Sequence, residues 1–104
     1  MNNTLQMTML FDFYGDILTD KQRKYFDLYY NDDLSLAEIA KKVGISRPGV
    51  HDIIKRAKKV LMKIEQKTGI IQKWLETRAV LEASYPNIND LHPAIIDYFQ
   101  MEND

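Results

Sequence analysis

The stretch from Leu36 to Lys55, LAEIAKKVGISRPGVHDIIK, decides the fold. A helix-turn-helix needs a small residue where two helices cross, a glycine in the turn, and apolar residues that lock the pair onto a core. Ala40 is the small residue and Gly44 the turn. Ile39, Val43, Ile45, Val50 and Ile53 are the apolar locks. Ser35-Leu-Ala-Glu38 reads as a capping box opening the first helix, and Ser46 caps the second, with Pro48 tolerated in its first turn.

Working outward, the second helix has nothing to stop it before Thr68-Gly69, so it is predicted to reach Lys67, about 33 Å. At 100° per residue, Val50, Ile53, Ile54, Ala57, Val60, Leu61 and Ile64 share one side and predict the buried stripe. Asp52, Lys55, Arg56, Lys59 and Lys63 fall on the other. Upstream, Thr19-Asp-Lys-Gln22 is a second capping box, predicting a helix from Asp20 to about Tyr30 that Asn31-Asp-Asp33 breaks. Leu5–Leu18 is predicted as an N-terminal helix whose apolar side is Met9, Leu10, Phe13, Ile17 and Leu18. Ile70 to about Ala83 reads as a further helix, Ser84–Asp90 as a loop, and Pro93–Met101 as a short last helix. No run alternates with period two, so strands are not expected. The expected fold is all-α: one helical domain over 1–104, with a helix-turn-helix core in 5–68 and a C-terminal helical extension in 69–104.

The composition excludes much chemistry. With no cysteine among 104 residues, disulfides, thiolate metal sites and cysteine nucleophiles are ruled out. His51 and His92 lack helical-spacing partners, so no metal site is expected. No phosphate loop, nucleophile elbow or paired-carboxylate pattern occurs, so neither an enzyme nor a cofactor is expected. No apolar run approaches the roughly 18 residues of a membrane span, and the start lacks the basic region of a signal peptide, so the expected location is cytoplasmic.

The net charge of −1 hides a strong asymmetry. Residues 1–40 net −4, residues 41–67 net +7, and residues 68–104 net −4. A basic centre between acidic flanks suits either a polyanion-binding surface or a solvated helix face. The candidate nucleic-acid contacts are Lys41, Lys42, Arg47, His51, Lys55, Arg56, Lys59 and Lys63. Arg47 can pair with a guanine edge, whereas Pro48 and Gly49 offer no hydrogen-bonding side chain and Asp52 repels phosphate. The end that would read bases is therefore poor, while the later Lys/Arg stripe suits the backbone, which carries most sequence-independent affinity. Tyr25, Phe26, Tyr29 and Tyr30, beside Lys21, Arg23 and Lys24, fit a wide core face or a surface that stacks single-stranded bases.

Leu18–Tyr30, Asp32–Ala40, Gly44–Arg47 and Val50–Arg56 together resemble, in general form, region 4 of bacterial sigma factors. More closely they resemble the YlxM family of small helix-turn-helix proteins, as do Leu10–Tyr14 and the long helix ending near residue 68. The chain departs from that family at Pro48-Gly49, where the family carries Gln-Ala. The resemblance implies a non-catalytic accessory or regulatory protein of the signal recognition particle pathway, binding the particle RNA or its GTPase. A DNA-binding transcription regulator and a protein-interaction module that keeps the motif as scaffold are the competing expectations. The apolar N-terminal helix, with Met9, Leu10, Phe11 and Phe13, also fits a homodimer.

Overall fold

The computed structural model describes residues 3–84. Five α-helices run in order: α1 Asn3–Tyr14, α2 Asp20–Tyr30, α3 Leu36–Val43, α4 Arg47–Thr68 and α5 Ile70–Ser84. No strand occurs among the described residues, and the architecture is all-α as expected.

The boundaries follow the chemistry of the chain ends. Thr19 and Ser35 form complete capping boxes with Gln22 and Glu38, each satisfying orphan N–H groups at a helix start. The Ser46 hydroxyl accepts from the Gly49 N–H at 3.1 Å, with Pro48 inside the first turn of α4. Gly44 and Gly69 close α3 and α4 at φ 78° and 64°, left-handed values at which a Cβ would be strained.

Two compact units divide the described chain, one ending at Ile71 and one beginning at Gln72. In the first, α4 packs against α1, α2 and α3. Phe26, Ile39, Val50 and Leu61 are its largest fully buried side chains, so each of α2, α3 and α4 contributes to one core. Phe26 stacks on Phe11 at 5.3 Å between centroids and meets Tyr30 at 4.5 Å. The predicted stripe of α4 is confirmed: Val50, Ile54, Ala57 and Leu61 are buried, and Ile53, Val60 and Ile64 half-buried. Tyr25 and Phe26 are core, while Tyr29 and Tyr30 are half-buried.

The N-terminal helix differs from expectation. The α-helix ends at Tyr14, and Gly15–Ile17 form a single 3₁₀ turn before Leu18. The tighter turn breaks the 100° phase. Past that turn Leu18 is buried and Ile17 63% exposed; within α1 the buried residues are Met7, Leu10 and Tyr14, while Phe13 is 38% exposed. In the second unit, α5 carries Gln72–Glu76 and Arg78–Glu82 contacts at 3.0 and 2.9 Å, and Arg78 lies 5.5 Å above the Trp74 ring. The expected helix Pro93–Met101, and the loop leading to it beyond Ser84, lie outside the described residues.

Candidate nucleic-acid interface

The candidate surface is built by α4 and the end of α3. Because Val50, Ile54, Ala57 and Leu61 must face the core, the residues between them are forced outward. Arg47, His51, Lys55, Lys59 and Lys63 are all exposed and follow one another at i,i+4. Each step climbs about 6 Å and rotates about 40°, so the row covers roughly 24 Å and winds about 160° around the helix.

That winding divides the row into two fronts. Arg47, His51 and Lys55 start at the flank of the buried stripe. Lys59 and Lys63 come round to the side directly opposite the core, alongside Arg56. A B-form major groove is about 12 Å wide, so a groove that takes the first front leaves the second outside it. The second front is then placed for sugar–phosphate backbone.

Charges on the row are not equally available. Arg56 Nε lies 3.1 Å from Asp52 Oδ2, one turn earlier, and the two side chains remain 73% and 56% exposed. An ion pair this open is worth about 0–1 kcal/mol, yet it turns Arg56 toward Asp52 and neutralises the one acid on that side of the first turns. Lys41 and Lys42 are exposed in the last turn of α3, where cations also favour the helix C-terminus. The structure thus brings five of the eight candidate residues into one continuous row, places Arg56 beside it in a bridge, and puts Lys41 and Lys42 on a separate helix. The charge reading of the sequence did not include the Asp52–Arg56 bridge, although its i,i+4 spacing was the available signal.

A second polar assembly anchors the far end of α4. The Tyr14 hydroxyl donates to Glu65 Oε1 at 2.6 Å, Thr68 Oγ1 lies 3.1 Å from the same phenol oxygen, and the Ile71 N–H donates to Glu65 Oε1 at 2.9 Å. Burial, together with the Glu65 carboxylate, pushes the Tyr14 phenol above its ordinary range. Among the described residues no group of His, Asp and Glu is placed to hold a metal ion, and no helix is long and apolar enough to cross a membrane.

Relatives match this chain across the helices just described. The UPF0122 protein of Streptococcus gordonii is 40% identical over 106 residues, covering 99% of this chain and 96% of that one. That of Halalkalibacterium halodurans is 45% identical over 82 residues, 79% of this chain and 75% of its own. That of Caldanaerobacter subterraneus is 49% identical over 78 residues, 75% of this chain and 67% of its own. The profile described as "UPF0122: Putative helix-turn-helix protein, YlxM / p13 like" matches residues 1–95, and the chain belongs to that family.

Proposed function

We propose that this protein is a non-catalytic, cytoplasmic nucleic-acid-binding regulator that acts in the signal recognition particle pathway. In this role it holds the particle RNA on α4 and works beside the particle GTPase. The observation that carries the nucleic-acid part is the exposed row Arg47–His51–Lys55–Lys59–Lys63, whose second front suits phosphates rather than base edges. Pro48 and Gly49, in the first turn, give little to read a sequence with. Family membership and the resemblance to YlxM proteins support the pathway.

The test is a salt titration of binding to particle RNA against random duplex DNA. Preference for the particle RNA at every salt concentration, with a log–log slope counting several phosphates, is the expected result. Equal affinity for both, or no binding to RNA and GTPase at low salt and micromolar protein, overturns it.

A second reading is favoured by Arg47, which stands exposed at the first position of α4, where a guanine edge would be met. It makes the protein a DNA-binding transcription regulator resembling sigma-factor region 4. Selection from random duplexes then returns a sequence motif that Arg47→Ala erases; a selection without a motif rejects it. Of the residues expected to join two copies, Leu10 is buried and Met9 and Phe11 are half-buried against this chain's own core, leaving Phe13 exposed. Self-association through Phe13 with the exposed Leu5 and Ile17 accompanies either reading, and is checked by sedimentation of the full chain.

A further inference from the structure

We propose that the second front of α4 takes nucleic acid at unpaired nucleotides, with a base packed on Met62 and the adjoining phosphates on Lys59 and Lys63. The inference rests on the nucleic-acid reading of α4 and narrows its ligand to strands that are locally single.

Residues spaced four apart form ridges on a helix. The cation row is one such ridge, and a neighbouring ridge runs along each of its sides. On one side lie Asp52, Arg56 and Val60, where the two charges pair at 3.1 Å and Val60 is half-buried. On the other lie Lys58, Met62 and Gln66. Met62 is 50% exposed, and Gln66 is exposed and makes no hydrogen bond among the described residues. One exposed apolar side chain is ordinary on a protein surface. Met62, however, stands one turn from Lys58, Lys59 and Gln66, and its remaining neighbour, Glu65, is tied to the Tyr14 hydroxyl and the Ile71 N–H.

The charge of the cation ridge is uncompensated. Lys55, Lys59 and Lys63 repel one another at i,i+4, a small cost to the helix. None of them, nor Lys58, makes an ion pair among the described residues, whereas Arg23, Arg56 and Arg78 all do. A phosphate chain supplies the anions that the fold does not. A strand laying its phosphates along this ridge turns its bases to one flank. The Asp52–Arg56 flank offers a base an ion pair and a half-buried valine. The other flank offers the polarizable thioether of Met62 and, one turn on, an amide able to pair with a base edge or a sugar hydroxyl. A stacked, paired base cannot use that flank, because its faces are covered and the A-form major groove is too deep and narrow for side chains. An unpaired base has an open face, and sulfur against an aromatic ring is a favourable contact.

The test measures, by fluorescence anisotropy, binding of the full chain to two RNA duplexes with the same number of phosphates. One is fully paired and the other is interrupted by an internal loop of unpaired nucleotides. The looped RNA is expected to bind about twofold to tenfold more tightly at each salt concentration, the range of one sulfur–ring contact. Met62→Gln removes that preference and leaves the slope of log K against log salt unchanged, because it touches no charge. Met62→Leu keeps part of the preference. Lys59→Ala, by contrast, weakens both RNAs and lowers both slopes. The exposure of Met62 lets these variants fold, and circular dichroism checks that they do. Equal affinity of the wild type for the two RNAs overturns the proposal while leaving the nucleic-acid reading in place, as does a preference that survives Met62→Gln. Binding to neither RNA at low salt overturns both.

Discussion

The Tyr14 hydroxyl donates to the Glu65 carboxylate at 2.6 Å across 51 residues of sequence, and the same carboxylate oxygen receives the Ile71 N–H that begins α5. One side chain of α4 thereby ties α1 to the α4–α5 junction. Removing the phenol oxygen leaves a part-buried carboxylate one donor short, a loss of about 1–3 kcal/mol. For a chain of 104 residues, each kcal/mol lowers Tm by roughly 4–8 °C. Tyr14→Phe is therefore expected to melt clearly lower at neutral pH with its helical circular dichroism intact; an unchanged Tm refutes the link.

The same contact sets an alkaline limit. Folding raises the Tyr14 phenol above its ordinary 10.0, because burial and Glu65 disfavour the phenolate. A group raised on folding contributes fully below its unfolded pKa and loses that contribution as pH climbs through the folded value. Denaturant midpoints of the wild type should accordingly fall above about pH 10, and Tyr14→Phe should fall less steeply. Tyr30, also raised by burial, keeps some of the slope in the variant. Parallel curves for the two proteins would show that Tyr14 carries none of it.

The helix-turn-helix was legible in the sequence because every signal that builds it is local. Thr19 with Gln22, Ser35 with Glu38, and Ser46 all satisfy N–H groups within three residues, and Gly44 and Gly69 answer a single backbone angle. The face of α1 was not legible. Its apolar residues are spread round the helix with Thr4, Gln6, Thr8 and Asp12 between them, so periodicity cannot choose a side. What chooses is Tyr14, whose partner Glu65 lies far along the chain, and Gly15, which starts the 3₁₀ turn that rotates Ile17 to solvent. The candidate cations were legible as a composition shift. Their division into two fronts needed the core-facing residues of α4 to be fixed first.

At Gly44 the backbone sits at φ 78°, and a Cβ there would meet nothing within 4 Å. The cost of Gly44→Ala is thus purely conformational, about 1–2 kcal/mol. Gly44→Asn should recover much of it, since asparagine tolerates this region. Urea midpoints in the order Gly, Asn, Ala support a strictly backbone role; equal midpoints for Asn and Ala do not.

If α4 holds nucleic acid by its backbone, Lys59 and Lys63 should count as phosphates. Each alanine substitution is expected to reduce the slope of log K against log salt by about 0.7–0.9, whatever the sequence bound. Arg47→Ala tests the first front in the same way and should in addition alter any sequence preference. A slope unmoved by Lys59→Ala and Lys63→Ala together places the nucleic acid elsewhere and favours the scaffold reading of the motif.

Asp52 holds Arg56 at 3.1 Å, and if the row binds a polyanion this pair should tune its affinity. The bridge is exposed, so breaking it changes stability by less than about 1 kcal/mol. Its effect on binding is larger, because Asp52→Asn both removes a negative charge from the basic face and releases a guanidinium. The variant is expected to bind RNA or duplex DNA several-fold more tightly at low salt, with a slope steeper by about 0.7–0.9 for the one added phosphate contact. Arg56→Ala in the native background should weaken binding modestly, because it leaves the Asp52 carboxylate uncompensated on the basic face; in the Asp52→Asn background it should abolish the gain. A double-mutant cycle in salt titration reads this coupling directly. Additive effects across the cycle would mean that Arg56 reaches phosphate despite the bridge, and that Asp52 acts only through its charge.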